Sequence, residues 1–134
     1  MAVLKTSIVS RNTELDAFAT SLNNGYMRIY SGAIPATPET AATGTLLGEL
    51  RLNATAAPAA SGGVLTFNAV SSDASADAAG TMGYARILRS DGTTCGFDAD
   101  VTATGGGGTV QFATLTTSVG LILSCTSFTY TLPQ

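Results

Sequence analysis

From Tyr26 onward the chain alternates apolar and polar positions in short runs separated by Gly, Pro, Ser and Ala. In 26–31, Met27 and Ile29 fall on one face and Arg28 and Tyr30 on the other. Over 45–52 the pattern sets Leu46, Leu50 and Leu52 inward and Leu47, Glu49 and Arg51 outward. Further strands are predicted over 64–70, with Leu65 and Phe67 as core residues, over 81–89, and over 93–101. The last of these puts Cys95, Phe97, Ala99 and Val101 on one face and Asp98 and Asp100 on the other. Ser90-Asp91-Gly92 between two strands reads as a hairpin turn, because Asp-Gly tolerates positive φ. Strands over 109–116 and 119–132 close the chain; the apolar face of the last changes phase near Thr126, which predicts a bulge.

One earlier stretch has a different period. Leu15, Phe18, Ala19 and Leu22 recur at three- and four-residue spacing, predicting a helix over 10–23. Ser10 is its expected cap, Glu14 and Asp16 lie where the helix dipole favours acids, and Asn23-Asn24-Gly25 supplies a left-handed stop. Nothing between later strands can serve as a crossover helix, which argues against parallel β-α-β units. The expectation is a mainly β fold: an antiparallel two-sheet sandwich, jelly-roll-like, with one short N-terminal helix. An arm over 1–9 precedes a single domain over 10–134, and segments 32–44, 53–63 and 71–80 read as long surface loops.

Composition narrows the function. The 134 residues include 21 Ala, 21 Thr and 15 Gly, no His and no Trp, and only 11% are charged. A surface so weakly charged costs little to desolvate and suits packing against another protein. A net charge of −3 speaks against nucleic acid as a partner. No run approaches a membrane span, and no apolar core of a signal peptide follows Met1, so a soluble protein made in a cytoplasm is expected.

Candidate chemistry is sparse. Ser or Cys nucleophiles lack a His base, and Lys5 is the only lysine. Carboxylates pair as Asp98 with Asp100 and as Asp73 with Asp77; the first pair, on one strand face, could hold Ca²⁺ with loop carbonyls, but solvated outward positions are the favoured reading. Gly105–Gly108 has no phosphate-loop lysine and reads as a flexible linker. Cys95 and Cys125 read as small apolar residues, with a cross-strand disulfide as the alternative. No catalytic residue, cofactor or metal site is assigned. Arg28 and Arg86 either pair across strands with Glu49, Asp98 or Asp100, or join Tyr26, Tyr30 and Tyr84 as interface anchors. Ile34, Pro35, Pro38 and Pro58, in the loops, complete the candidate protein-interface set.

The order of segments carries a resemblance. A helix reading RNTELDAFATSLNNG runs into MRIYSG, then IPATPETAATGTLLGEL; GYARILRSDGTT and SCTSFTYTLP follow. Leu15-Asp16-Ala17, Arg28-Ile29-Tyr30-Ser31-Gly32, Pro35-Ala36-Thr37-Pro38 and Arg89-Ser90-Asp91-Gly92 are its most telling pieces. The chain resembles small head proteins of tailed bacteriophages. That resemblance implies a non-enzymatic capsid decoration, or cement, protein on the virion surface. Its partners would be the major capsid protein and further copies of itself, as a dimer or trimer, and it would bridge capsid subunits against internal DNA pressure. The alternative is a tail- or fibre-associated module that binds receptors or glycans.

Overall fold

The computed structural model describes residues 3–133; Met1, Ala2 and Gln134, at the ends of the expected arm and domain, lie outside the described residues. One helix, α1 (Ile8–Ser21), precedes nine strands. These are β1 (Tyr26–Tyr30), β2 (Leu46–Arg51), β3 (Val64–Thr66), β4 (Gly80–Thr81) and β5 (Tyr84–Leu88). They continue with β6 (Cys95–Ala103), β7 (Val110–Phe112), β8 (Thr116–Thr117) and β9 (Cys125–Thr131). Seven form one sheet in the order β2-β1-β5-β6-β7-β9-β3, and β4 pairs with β8. The fold is mainly β with one short helix.

α1 begins earlier than its periodicity indicates. Ser7, not Ser10, is the cap: its Oγ accepts the Ser10 N–H at 3.2 Å. Glu14 and Asp16 therefore lie beyond the first turn, away from the dipole's positive end; Asp16 instead accepts the Ala60 N–H at 2.7 Å. The stop falls at Asn24, whose φ is +58°. Leu15 and Leu22 are fully buried in a single core with Met27, Ile29, Leu50, Leu65, Ile87, Val110 and Phe112. Each such aliphatic side chain contributes about 2 kcal/mol by leaving water. Phe67 and Phe128 stack in the same core, ring centroids 3.9 Å apart.

Two strand faces turn on bulges. The expected shift at Thr126 is present: Gln111 pairs with Ser127 and Phe112 with Cys125, so Thr126 is skipped. A second bulge reverses the expectation for Leu47. Ile29 pairs with Gly48 and Tyr30 with Leu46, leaving Leu47 as the extra residue. Leu47 consequently turns into the core, fully buried, and Leu46 is only partly covered.

The sheet is mixed, not antiparallel throughout. β6 and β7 run parallel, Val101 beside Val110 and Ala103 beside Phe112. No crossover helix joins them. The chain doubles back through 104–109, using Gly105 (φ +86°) and Gly107 (φ +83°). The glycine run is thus a hydrogen-bonded return. Gly108 N–H bonds Thr102 Oγ1 at 3.0 Å, and Gly105 N–H bonds Gln111 Oε1 at 3.0 Å.

The open edge of β2 is covered. Ser71 bridges Arg51, and Asp73 exchanges backbone hydrogen bonds with Leu123 at 3.0 and 2.9 Å. Because Leu123 leads into β9, this path joins the β2 edge to β9 through segment 71–73. The 71–80 segment is the expected surface loop, with no strand before Gly80, and it serves as a clasp on this edge. The 53–63 segment is tied too: Ala56 N–H bonds Asn23 Oδ1 at 2.8 Å. Among the described residues no helix is long and apolar enough to cross a membrane.

Urea denaturation tests the glycine return. Gly107→Ala meets open space but forces a left-handed alanine, costing about 1–2 kcal/mol. At Gly108 a Cβ would stand 2.6 Å from Thr102 Cγ2. Gly108→Ala is expected to cost about 1–3 kcal/mol through crowding, and Thr102→Ser is expected to recover part of it by removing that methyl.

Candidate functional site

The side of β1 that faces away from the core carries Tyr26, Arg28 and Tyr30. Strand register sets neighbours beside each. Arg28 stands opposite Glu49 on β2 and Arg86 on β5, and Arg86 stands opposite Asp98 on β6. The row reads Glu49–Arg28–Arg86–Asp98, two like charges flanked by two carboxylates. Arg28 Nε bonds Glu49 Oε2 at 2.6 Å in a partly exposed pair. Arg86 is bidentate to Asp98, Nε to Oδ1 at 2.7 Å and Nη2 to Oδ2 at 2.8 Å. Both side chains of that pair are buried, 8% and 4% exposed. Each arginine is held above its ordinary pKa chiefly by the hydrogen bond it donates to its carboxylate partner. Of the two readings of these arginines, cross-strand pairing is the one the geometry realises.

A second row joins Tyr30 to Tyr84, stacked at 5.4 Å between centroids. Segment 32–44 folds over Tyr84. Its hydroxyl accepts the Thr43 N–H at 2.9 Å and donates to the Thr43 carbonyl at 3.0 Å. At the other end of β1, the Arg51 guanidinium lies 4.2 Å from the centre of the Tyr26 ring. Five of the expected interface residues therefore share one sheet face. Tyr84 and Arg86, however, are buried within the chain, so they organise the face rather than offer themselves to a partner. Ile34 is exposed on the covering loop, and Pro35 and Pro38 are half-buried there. Pro58 is exposed on the 53–63 segment, which is tied to α1 and stands apart from this set.

A groove of about 510 Å³ opens between Pro38–Ala41 and Thr93–Cys95, with Arg86 also lining it. The Cys95 thiol is pushed up in pKa, mainly by burial and then by Asp98. Cys125 is raised by burial as well. Both cysteines are free, and they sit on strands separated by β7, so no cross-strand disulfide links them. Asp98 and Asp100 do not come together as cation ligands. Asp98 is engaged by Arg86, and Asp100 accepts the Thr109 N–H at 3.0 Å. Asp73, likewise, accepts the Glu49 N–H at 2.8 Å. No group of three metal-ligating side chains occurs among the described residues.

Ile34, already in the expected set, is one of several exposed large apolar residues; those that the set lacks are Val3, Leu4, Ile8, Val9, Val119 and Ile122. All seven are about half exposed or more, and none lies in a strand. Their signal is an apolar residue outside any period of 2 or 3.6. No protein-family model, curated protein or solved structure matches this chain.

Two outcomes test this geometry. Asp98→Ala leaves Arg86 buried without its carboxylate and is expected to cost about 3–5 kcal/mol in chemical denaturation. An Arg86→Leu, Asp98→Leu double variant is expected to recover most of that loss. In the 90–94 turn, hydrogen bonds from the Thr94 hydroxyl and the Thr93 and Thr94 N–H groups lower Asp91 from 3.8 to about 2. A carboxyl lowered on folding stabilises the turn above its unfolded pKa, and the effect is lost as pH falls through about 2. An NMR titration should give that midpoint for Asp91, and Thr94→Val should move it upward.

Proposed function

We propose that this chain is a non-enzymatic decoration protein of a tailed-phage head, binding the outside of the capsid and bridging neighbouring major capsid subunits. The observation that carries this reading is the distribution of exposed apolar side chains. They sit on the N-terminal arm, the first turn of α1 and the loops at 34, 119 and 122, around a clasped β framework whose own faces are satisfied internally. A cement protein needs that combination: a stiff, jelly-roll-like body and peripheral anchors that reach more than one subunit. Anchors of this size bind weakly one at a time and gain by multivalency on a symmetric lattice. The resemblance of segments 11–25, 27–32 and 83–94 to head proteins supports the same reading.

A glycan- or receptor-binding tail module is the second reading, favoured by the open groove beside Glu39, Thr40, Thr93 and Thr94. Selective binding to a glycan array by the isolated chain, with no affinity for heads, would promote it.

Deletion of residues 1–5 separates anchor from framework. It spares the Ser7 cap and the Thr6 carbonyl that Arg11 holds. Thermal unfolding should shift by no more than about 2–3 °C. Binding to undecorated, expanded heads should weaken at least about tenfold, and the wild-type chain should raise the temperature at which those heads rupture. Wild-type protein that neither binds nor protects heads would contradict the proposal.

A further inference from the structure

The cross-strand pairing of the outer sheet face leaves one opening unfilled. It is the groove of about 510 Å³, a volume within the range of small-molecule sites. Its floor is Arg86, whose side chain is only 8% exposed. Asp98 takes two of the guanidinium nitrogens, Nε at 2.7 Å and Nη2 at 2.8 Å, and Nη1 has no acceptor among the described residues. Arg11 Nε is the one buried side-chain nitrogen or oxygen left in that state among them, so Arg86 Nη1 meets solvent, and the groove is the opening that Arg86 lines. The bidentate pair thus presents one donor at the floor in a fixed orientation. On the wall above, Glu39 is exposed and has no ion pair among the described residues. Burial and Asp98 raise the Cys95 thiol most and Glu39 adds to the rise, so the Glu39 carboxylate acts across the groove. Both walls are held before a ligand arrives. Tyr84 fixes one through the Thr43 backbone, and Asp91 fixes the other by accepting the Thr93 and Thr94 N–H groups at 2.9 and 2.8 Å.

The donors and acceptors of the groove select a class of ligand. An apolar ligand would strand the Thr40 and Thr93 hydroxyls, Glu39 and Arg86 Nη1 without water. An anion gains little, because Asp98 already balances Arg86 and Glu39 adds a further negative charge. A cation would face the donor at the floor. A neutral polyhydroxylated ring satisfies both sides, since each hydroxyl donates and accepts at once. We propose that the groove is a binding site for a neutral hexopyranose, with one ring hydroxyl accepting from Arg86 Nη1 and its neighbour donating to Glu39. Thr40 and Thr93 would serve the hydroxyls beyond that pair. No aromatic ring lines the groove, so one site binds only at about the millimolar level and gains by display in many copies. The inference rests on the groove to which the second functional reading points, and it holds whether the chain sits on a head or on a tail.

The full-length ¹⁵N-labelled chain is titrated with the methyl pyranosides of glucose, galactose and mannose, and with two charged analogues, methyl glucuronide and protonated glucosamine. At least one neutral sugar is expected to shift the amides of 38–41 and 93–95 together with the Arg86 side-chain N–H signal. The two charged analogues and the exposed-site variant Glu39→Ala should each bind at least about threefold more weakly, and the variant should keep the wild-type spectrum elsewhere. Absence of these shifts with all three neutral sugars at roughly 50 mM would overturn the proposal. Equal or tighter binding of either charged analogue, undiminished binding by Glu39→Ala, or shifts centred away from the groove would do so too. A glycan-array signal without these shifts would likewise overturn this site while leaving the second reading in place, and head binding is decided separately by the heads themselves.

Discussion

A seven-stranded sheet must dispose of its edges, and the rest of this structure depends on how the β2 edge is closed. An unpaired strand edge is a template for aggregation. Asp73 closes this one from a segment with no strand of its own. Its Oδ2 accepts the Glu49 N–H, its Oδ1 accepts the Ser75 N–H at 3.0 Å, and its backbone pairs with Leu123. Asp77 N–H adds a bond to the Leu47 carbonyl at 2.8 Å, next to the bulge. One short segment thus fixes the edge of β2, the inward turn of Leu47 and the entry into β9. Gly48 belongs to the same device, because a Cβ there would stand 2.8 Å from Asp73 Oδ2.

With the edge closed, the polar groups of the outer face can be used internally. Arg28 and Arg86 would repel one another if left alone. Glu49 and Asp98 on the flanking strands neutralise them, and the bidentate Arg86–Asp98 pair does so almost out of contact with water. Tyr84 is occupied in the same way by the backbone of Thr43. The residue types that usually anchor an interface are therefore committed to rigidity. What the chain leaves exposed and apolar is at its periphery, from Val3 to Val9 and at Ile34, Val119 and Ile122.

Much of this was legible in the sequence where local pattern decides structure. The inward faces of Met27 and Ile29, the Asp91-Gly92 turn, the stop at Asn24 and the bulge at Thr126 each follow from neighbouring residues alone. The failures are places where a distant contact wins. Leu47 reverses face because one extra residue enters β2. The parallel β6–β7 pair is invisible to rules about crossovers, since four glycines let the chain return in six residues, 104–109. The 71–77 stretch is a loop as its composition indicates, but its clasping was not legible, because one carboxylate, not a period, holds it. At the candidate site, register brought Tyr26, Arg28, Tyr30, Tyr84 and Arg86 together as their alternation indicated. Their burial was not legible, because it depends on segment 32–44 folding back over Tyr84.

Rigidity at the centre and apolar reach at the margins suit a protein that acts by position and number instead of by turnover. The proposed role has a stoichiometric consequence that no other reading shares. The most direct measurement is the copy number of this chain in purified virions, by quantitative peptide mass spectrometry against the major capsid protein. A lattice-wide cement protein requires roughly one copy per one to three capsid subunits. A handful of copies per particle, or none, would contradict the account.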